Sequence, residues 1–178
     1  MEDTCKACLW KNFAATVDML EAVIKLCPDA LWKQEDKFYY LAYHTAIFLD
    51  YYLTYPVDQF DPRLPYVLVP QRELPADAVD DVLPVRHYST AEVISSVRLA
   101  RSKCQALIGP QAIQDVSVPW ITPAEIDLHG LCPGGVMDYS LLDILFYNLR
   151  HVQHHVAQLN YILRNEANLA AEWISQAE

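Results

Sequence analysis

The feature that most constrains the fold is a long amphipathic repeat near the end of the chain. Between residues 140 and 172, apolar residues recur at alternating intervals of three and four, the spacing that places them on one face of an α-helix. The repeat is too long for a strand and is typical of a helix that packs in a bundle. Its apolar positions are Leu142, Leu145, Leu149, Val152, Val156, Leu159 and Leu163.

Three further segments carry a helical periodicity. They predict helices over residues 4–27, 36–55 and 90–108, in addition to the helix over 140–172. Proline or a Gly-Pro pair follows each of the first three segments and would stop a helix there. Serine with an acidic residue three positions later opens the last two, as in a capping box. A length of 178 residues suggests one domain. The chain is therefore predicted to be all-α, a four-helix bundle forming a single domain over residues 1–178.

Two long proline-rich connections separate the predicted helices. Residues 56–88 contain one short strand-like run at Tyr66–Val69, and residues 110–139 contain a predicted short helix at Pro123–Leu128. Connections this long are unusual inside a compact bundle. They are therefore predicted to cross over the bundle or to form the walls of a site.

The histidines are the strongest chemical signal, because three of the six lie within five residues of the last predicted helix. His151 and His155 stand four residues apart, so their imidazoles share one helix face and lie close enough to bind one divalent ion. At about 100° per residue, His154 projects away from that face. His44 flanks the apolar stripe of the second helix and supplies a third imidazole. From spacing alone, hydrogen-bonded core histidines and metal ligands both remain open interpretations.

Several enzyme classes lack their motifs in this chain. The residue after His151 is valine, which excludes the HExxH signature of zinc proteases, and there is no nucleophile elbow or phosphate-binding loop. Cys5 and Cys8 form a CxxC without a second pair at zinc-ribbon spacing, so we interpret them as small residues at the start of the first helix. His87 and His129 are predicted to lie in loops.

Charge and cysteine content restrict the partners and the compartment. The net charge of −10 argues against a nucleic-acid surface. The basic cluster Arg98–Lys103 is interpreted as a solvated helix face. No apolar run is long enough for a membrane span, and the first residues lack a signal-peptide layout. Five widely spread cysteines are consistent with reduced thiols. We expect a cytoplasmic protein without nucleic-acid or membrane partners.

In this combination the chain resembles the DinB/YfiT-like superfamily of metal-binding four-helix bundles. The resemblance rests on the turn Pro28–Trp32 after the first helix, on one inward histidine in the second helix, His44, and on H-x-x-x-H followed by glutamine in the last helix. That last motif comprises His151, His155 and Gln158. The resemblance covers most of the chain except the two connections. Many members read His-Arg-Gly-Gln where this chain reads His-Val-Ala-Gln.

The resemblance implies one divalent ion held by His44, His151 and His155. Zinc or nickel are the first candidates, and iron or manganese are the alternatives. It also implies a homodimer and a metal-dependent enzyme, either a hydrolase or a thiol-dependent transferase, acting on a small-molecule substrate or a low-molecular-weight thiol. The alternative is a non-catalytic stress-response or interaction protein with a vestigial site. Three imidazoles with an open position are typical of catalytic zinc. Asn148, Gln158, Asp50 or a tyrosine could orient the imidazoles, and the sequence does not decide among them.

Overall fold

The computed structural model describes residues 2–34, 37–109 and 115–177, and the chain is predominantly helical, as predicted. The helices are α1 (Glu2–Leu26), α2 (Asp29–Trp32), α3 (Lys37–Tyr52), α4 (Thr90–Ile108) and α5 (Leu141–Ala167). Two short strands, β1 (Tyr66–Leu68) and β2 (Val82–Pro84), pair antiparallel. Single 3₁₀ turns lie at Val57–Gln59, Gln71–Glu73 and Gly134–Val136. No helix in the described ranges combines the length and the apolarity needed to cross a lipid bilayer.

The four long helices share one hydrophobic core. Helix α1 packs against α4 and α5, and α3 packs against the same two helices from the other side. The apolar stripes predicted for α1, α3 and α4 are buried in this core. Helix α3 is buried on nearly all sides. This packing places α3 beside α5, and these two helices carry the histidines of interest.

The starts of α4 and α5 agree with the predicted capping boxes. The Ser89 hydroxyl accepts a hydrogen bond from the backbone N–H of Glu92, and the Glu92 carboxylate accepts one from the backbone N–H of Ser89. Ser140 and Asp143 form the same reciprocal pair at the start of α5. Because each box gives free backbone donors a partner, it fixes where the helix begins.

Helix α3 ends earlier than predicted. Its last residue is Tyr52 rather than residue 55, and the next turn is tightened by a hydrogen bond from the backbone N–H of Thr54 to the carbonyl of Tyr51. Pro56 disfavours helical backbone in the residue before it. The early end of α3 is therefore set by the local backbone near Pro56, and the spacing of apolar residues gives no sign of it. Asp36, where this helix was predicted to begin, lies outside the described residues.

Helix α5 also ends earlier, at Ala167 rather than at residue 172. Asn168 adopts a left-handed backbone with φ of 53°, and a backbone N–H at this cap bonds the carbonyl of Leu163. Asparagine tolerates this conformation better than most residues. Within α5 the predicted apolar seam is buried except at Leu142, which is exposed, and Leu149, which is half-buried. At the start of the helix Leu141 takes the inner position instead of Leu142.

The two connections fold against each other beside α3. The predicted strand-like run forms β1, whereas its partner β2 was not predicted. The predicted helix at Pro123–Leu128 is absent from this described segment, which instead forms tight turns closed by Thr122 and Glu125. The hydroxyl of Tyr66 donates to the carbonyl of His129 at 2.7 Å and joins the two connections. They therefore cover one side of the bundle.

Candidate metal centre

Helices α3 and α5 bring the three predicted histidines together. The Nε2 atom of His151 lies 3.0 Å from Nε2 of His44 and 3.0 Å from Nε2 of His155. His44 and His155 are buried, and His151 is half-buried. One ring nitrogen from each side chain thus points to a common centre, and the group could hold a metal ion.

Aromatic side chains pack against the imidazole rings of His44 and His151. Phe48 lies one turn after His44 on α3, and its ring centroid is 4.7 Å from that of His44 and 6.0 Å from that of His151. Tyr147, one turn before His151 on α5, lies parallel to the His151 ring. Because helical spacing puts each aromatic residue next to its histidine, the sequence builds this packing locally. The aromatic rings limit the rotamers open to the imidazoles.

Hydrogen bonds set the tautomers of two of the imidazoles. The Nδ1 atom of His44 lies 2.8 Å from Oδ2 of Asp80, and Nδ1 of His155 lies 2.7 Å from Oε1 of Gln158. A carboxylate oxygen and an amide oxygen only accept hydrogen bonds, so both Nδ1 atoms carry the hydrogen. The two Nε2 atoms then present lone pairs to the common centre, which is the form that binds metal ions.

His151 is the most constrained of the three. Its Nδ1 atom is buried and has no hydrogen-bond partner among the described residues. Burial, followed by the neighbouring histidines, lowers the pKa of His151 to about 2. Burial likewise lowers the pKa of His155 to about 4, against the opposing hydrogen bond of Gln158. Both imidazoles are therefore neutral at pH 7, as metal ligands must be.

The spacing and the donor types fit one divalent ion. Two nitrogens that each lie about 2.0–2.1 Å from an ion can be at most about 4.2 Å apart, and a separation of 3.0 Å corresponds to neighbouring coordination positions. Without a cation, His151 can offer a single Nε2 hydrogen to the two lone pairs that face it. A cation at the centre would satisfy all three nitrogens. Imidazole ligands suit zinc, nickel, iron and copper.

A cleft of about 700 Å³ adjoins this group at His155. Its walls are the start of α3, the segment 76–79 and the second half of α5, including Gln158 and Tyr161. His154 is exposed and lines the cleft but lies outside the three-histidine group, as the helix rotation predicted. A small molecule in this cleft would lie next to His155.

The other predicted site residues have mixed outcomes. Gln158 orients an imidazole as expected, but Asn148 donates to the backbone carbonyl of Leu49. The Asp50 carboxylate accepts from Lys103. Of these alternatives, Asn148 and Asp50 therefore do not orient an imidazole, because both side chains bond to a neighbouring helix instead.

Asp80 contacts His44, and the sequence did not reveal this contact. Asp80 lies in the first connection, which has no periodicity from which the position of a side chain could be predicted. The only available signal was a group of acidic residues at 77, 80 and 81. The predicted loop histidines lie elsewhere: His87 contacts the carbonyl of Trp32 at 3.1 Å, and His129 contacts that of Val57 at 3.1 Å.

The metal-free protein is expected to lose stability as the pH falls below about 6.5. The folded-state pKa values of His151 and His155, about 2 and about 4, lie below the unfolded value of about 6.5. Between about pH 6.5 and 4 the unfolded state therefore binds protons that the folded state excludes. Between pH 7 and 5.5 the two groups should together reduce the free energy of unfolding by about 2–3 kcal/mol.

Urea denaturation in the presence of a chelator measures this loss. A double variant, His151→Phe with His155→Phe, is the control, since it removes both groups but retains the carboxylates that titrate at lower pH. The variant should lose most of the pH dependence in this range. An equal slope in both proteins would contradict the assignment.

Comparisons of the chain with protein-family models, with curated proteins and with solved structures found no match. Three converging imidazoles beside an open cleft could hold a metal ion.

Proposed function

We propose that this protein is a metal-dependent enzyme of the DinB/YfiT-like superfamily, with one bundle domain over residues 1–178. His44, His151 and His155 would hold one divalent ion. The observation that carries the proposal is the convergence of three Nε2 atoms, two of them on imidazoles whose Nδ1 atoms are held by acceptors. The packing of α1, α3, α4 and α5 around one core supports the four-helix bundle. Zinc or nickel are the first candidates, with iron or manganese as alternatives.

The proposed chemistry is that of a hydrolase or a thiol-dependent transferase. When bound, a divalent ion would supply a Lewis acid that lowers the pKa of a coordinated water or thiol. Asp80 and Gln158 keep the imidazoles oriented, and Phe48 and Tyr147 pack against the rings from the core side. A small-molecule substrate or a low-molecular-weight thiol would bind in the cleft beside His155, which has a volume of about 700 Å³.

The alternative is a non-catalytic stress-response or interaction protein with a vestigial site. A cleft that opens next to a metal ligand favours the enzyme, because a purely structural metal site is closed by its protein ligands. The intact hydrogen bonds to two of the imidazoles also argue against a vestigial site.

Metal analysis and activity assays together test the proposal. Protein purified without a histidine tag, then loaded separately with zinc, nickel, iron or manganese, should contain about one divalent ion per chain by elemental analysis. The loaded protein should either hydrolyse ester or amide substrates or conjugate a thiol to an electrophile, and His151→Ala should do neither. A bound ion without either activity would favour the non-catalytic alternative. Failure to bind any of the four metals would overturn the site.

We also propose a cytoplasmic homodimer, which sedimentation velocity at micromolar concentration should detect. The support for the dimer is the family resemblance. The many tyrosines and phenylalanines of α3 do not add to it, because they lie mostly in the core and not on the surface. The five cysteines are free thiols, consistent with a reducing compartment, and Cys5 and Cys8 lie exposed near the start of α1. A single monomeric species would overturn the dimer.

A further inference from the structure

We propose that Asp80 is a positioning residue that couples metal binding to the wall of the adjacent cleft, an inference that rests on the proposed function. Asp80 lies just before β2. Its Oδ2 atom is 2.8 Å from Nδ1 of His44, and its Oδ1 atom accepts a hydrogen bond from the backbone N–H of Val82 at 3.1 Å. One carboxylate therefore joins a histidine of α3 to the backbone of the first connection.

The chemistry of this contact differs from that at the other two imidazoles. His155 is held by a neutral amide, and Nδ1 of His151 has no partner within the described part of the chain. Among the described groups bonded to the three rings, Asp80 is the one that can carry a negative charge. An ionised acceptor makes a stronger hydrogen bond than an amide does, and it makes the opposite ring nitrogen a better metal ligand. His44 should therefore depend on Asp80 both for its orientation and for its affinity for metal.

Asp80 directly follows a chain segment that forms one wall of the cleft. The segment 76–79 directly precedes Asp80 and lines the cleft beside His155. On the C-terminal side of Asp80, the carbonyl of Asp81 accepts a hydrogen bond from the backbone N–H of Val69 at 2.9 Å. This bond anchors the chain to the strand pair. A cation held by Nε2 of His44 would polarise the imidazole and strengthen the Nδ1–H hydrogen bond to Asp80. Metal binding should thus hold the wall more firmly, and the wall should in turn raise metal affinity.

The decisive comparison is between Asp80→Asn and Asp81→Asn. Both variants remove one negative charge from adjacent positions, but Asp81 is exposed and its described hydrogen bond uses the backbone carbonyl. In titrations of the metal-free proteins with Zn²⁺ against a competing chelator, Asp80→Asn should weaken affinity by about 10–100-fold. Asp81→Asn should stay within about threefold of the wild type. Equal losses in both variants would mean a general charge effect and would overturn the proposal.

Hydrogen exchange tests the link to the cleft wall. Zn²⁺ should slow exchange in the peptide covering residues 76–82 of the wild type and of Asp81→Asn, but not in Asp80→Asn at a Zn²⁺ concentration that saturates it. If Asp80→Asn gains the same protection, Asp80 does not couple the metal to the wall.

A third readout needs no metal and separates this inference from the proposed function. Nitrogen-15 NMR of the metal-free wild type should show the hydrogen of His44 on Nδ1, and Asp80→Asn should reduce the population of that tautomer. An unchanged tautomer would overturn the positioning role. A wild type that has this tautomer but binds none of the tested metals would overturn the proposed function and the coupling, while leaving the role of Asp80 in orienting His44 in place.

Discussion

Replacing His155 with alanine is expected to abolish stoichiometric metal binding while leaving the helical fold intact. His155 supplies one of three converging nitrogens, and the substitution leaves a site with two ligands. Affinity should fall by more than about 100-fold, because loss of a residue that only orients a ligand already costs about 10–100-fold. The fold should persist, because the core extends through all four long helices and does not depend on this imidazole. Elemental analysis and circular dichroism measure the two effects.

His154→Ala is the matched control. It removes the same side chain from the adjacent position on α5, where the imidazole is exposed and lies outside the three-histidine group. Metal content and affinity should stay within about twofold of the wild type. If instead His154→Ala loses the metal and His155→Ala retains it, the rotation of α5 is wrong and the site must be redrawn.

Much of the fold could be predicted because helix signals are local. The intervals between apolar residues and the capping pairs at Ser89 and Ser140 lie within a few positions of one another in the sequence. The four long helices therefore appear close to their predicted ranges. The same local geometry put His151 and His155 on one face and His154 off it. The contact of His44 with this pair, in contrast, depends on packing between segments that are distant in the sequence, so local spacing could not predict it.

What could not be predicted depends on the paths of the connections. Asp80 reaches His44 because β2 pairs with β1, and that pairing has no signal in a three-residue strand. The basic residues Arg98–Lys103 were interpreted as a solvated face, but the structure pairs them with carboxylates of neighbouring helices. The charge alone did not reveal these partners, because the rotation of α4 against α1 and α3 decides them.

The most consequential of these ion pairs joins Lys103 to Asp50. Asp50 is fully buried, and its Oδ1 atom accepts from Nζ of Lys103 at 2.5 Å, while Lys103 also donates to the hydroxyl of Thr54. The Oδ2 atom of Asp50 has no partner within the described ranges. Burial raises the pKa of Asp50, and Lys103 opposes this effect. The lysine is therefore the main group that compensates a buried carboxylate.

Lys103→Met is expected to destabilise the protein by about 3–5 kcal/mol near pH 7, because it leaves that carboxylate without its cation. Methionine keeps an unbranched apolar side chain, so the effect reports mainly on charge. Removing the lysine raises the pKa of Asp50 further, and a group whose pKa is raised on folding favours the folded state at low pH. The loss should therefore shrink when the pH is lowered, because Asp50 of the variant can then take up a proton. Urea denaturation near neutral pH and at lower pH measures the change.

Two further variants show whether burial is the cause. Adding Asp50→Asn to Lys103→Met removes the unpaired charge and should recover most of the lost stability. Arg98 lies on the same helix as Lys103 and pairs with Glu21 of α1, but its side chain is 60% exposed. Arg98→Met should therefore cost much less stability than Lys103→Met. If Lys103→Met costs no more than Arg98→Met, then Asp50 is either solvated or already protonated in the folded protein, and its pairing with Lys103 contributes little to holding α3 against α4.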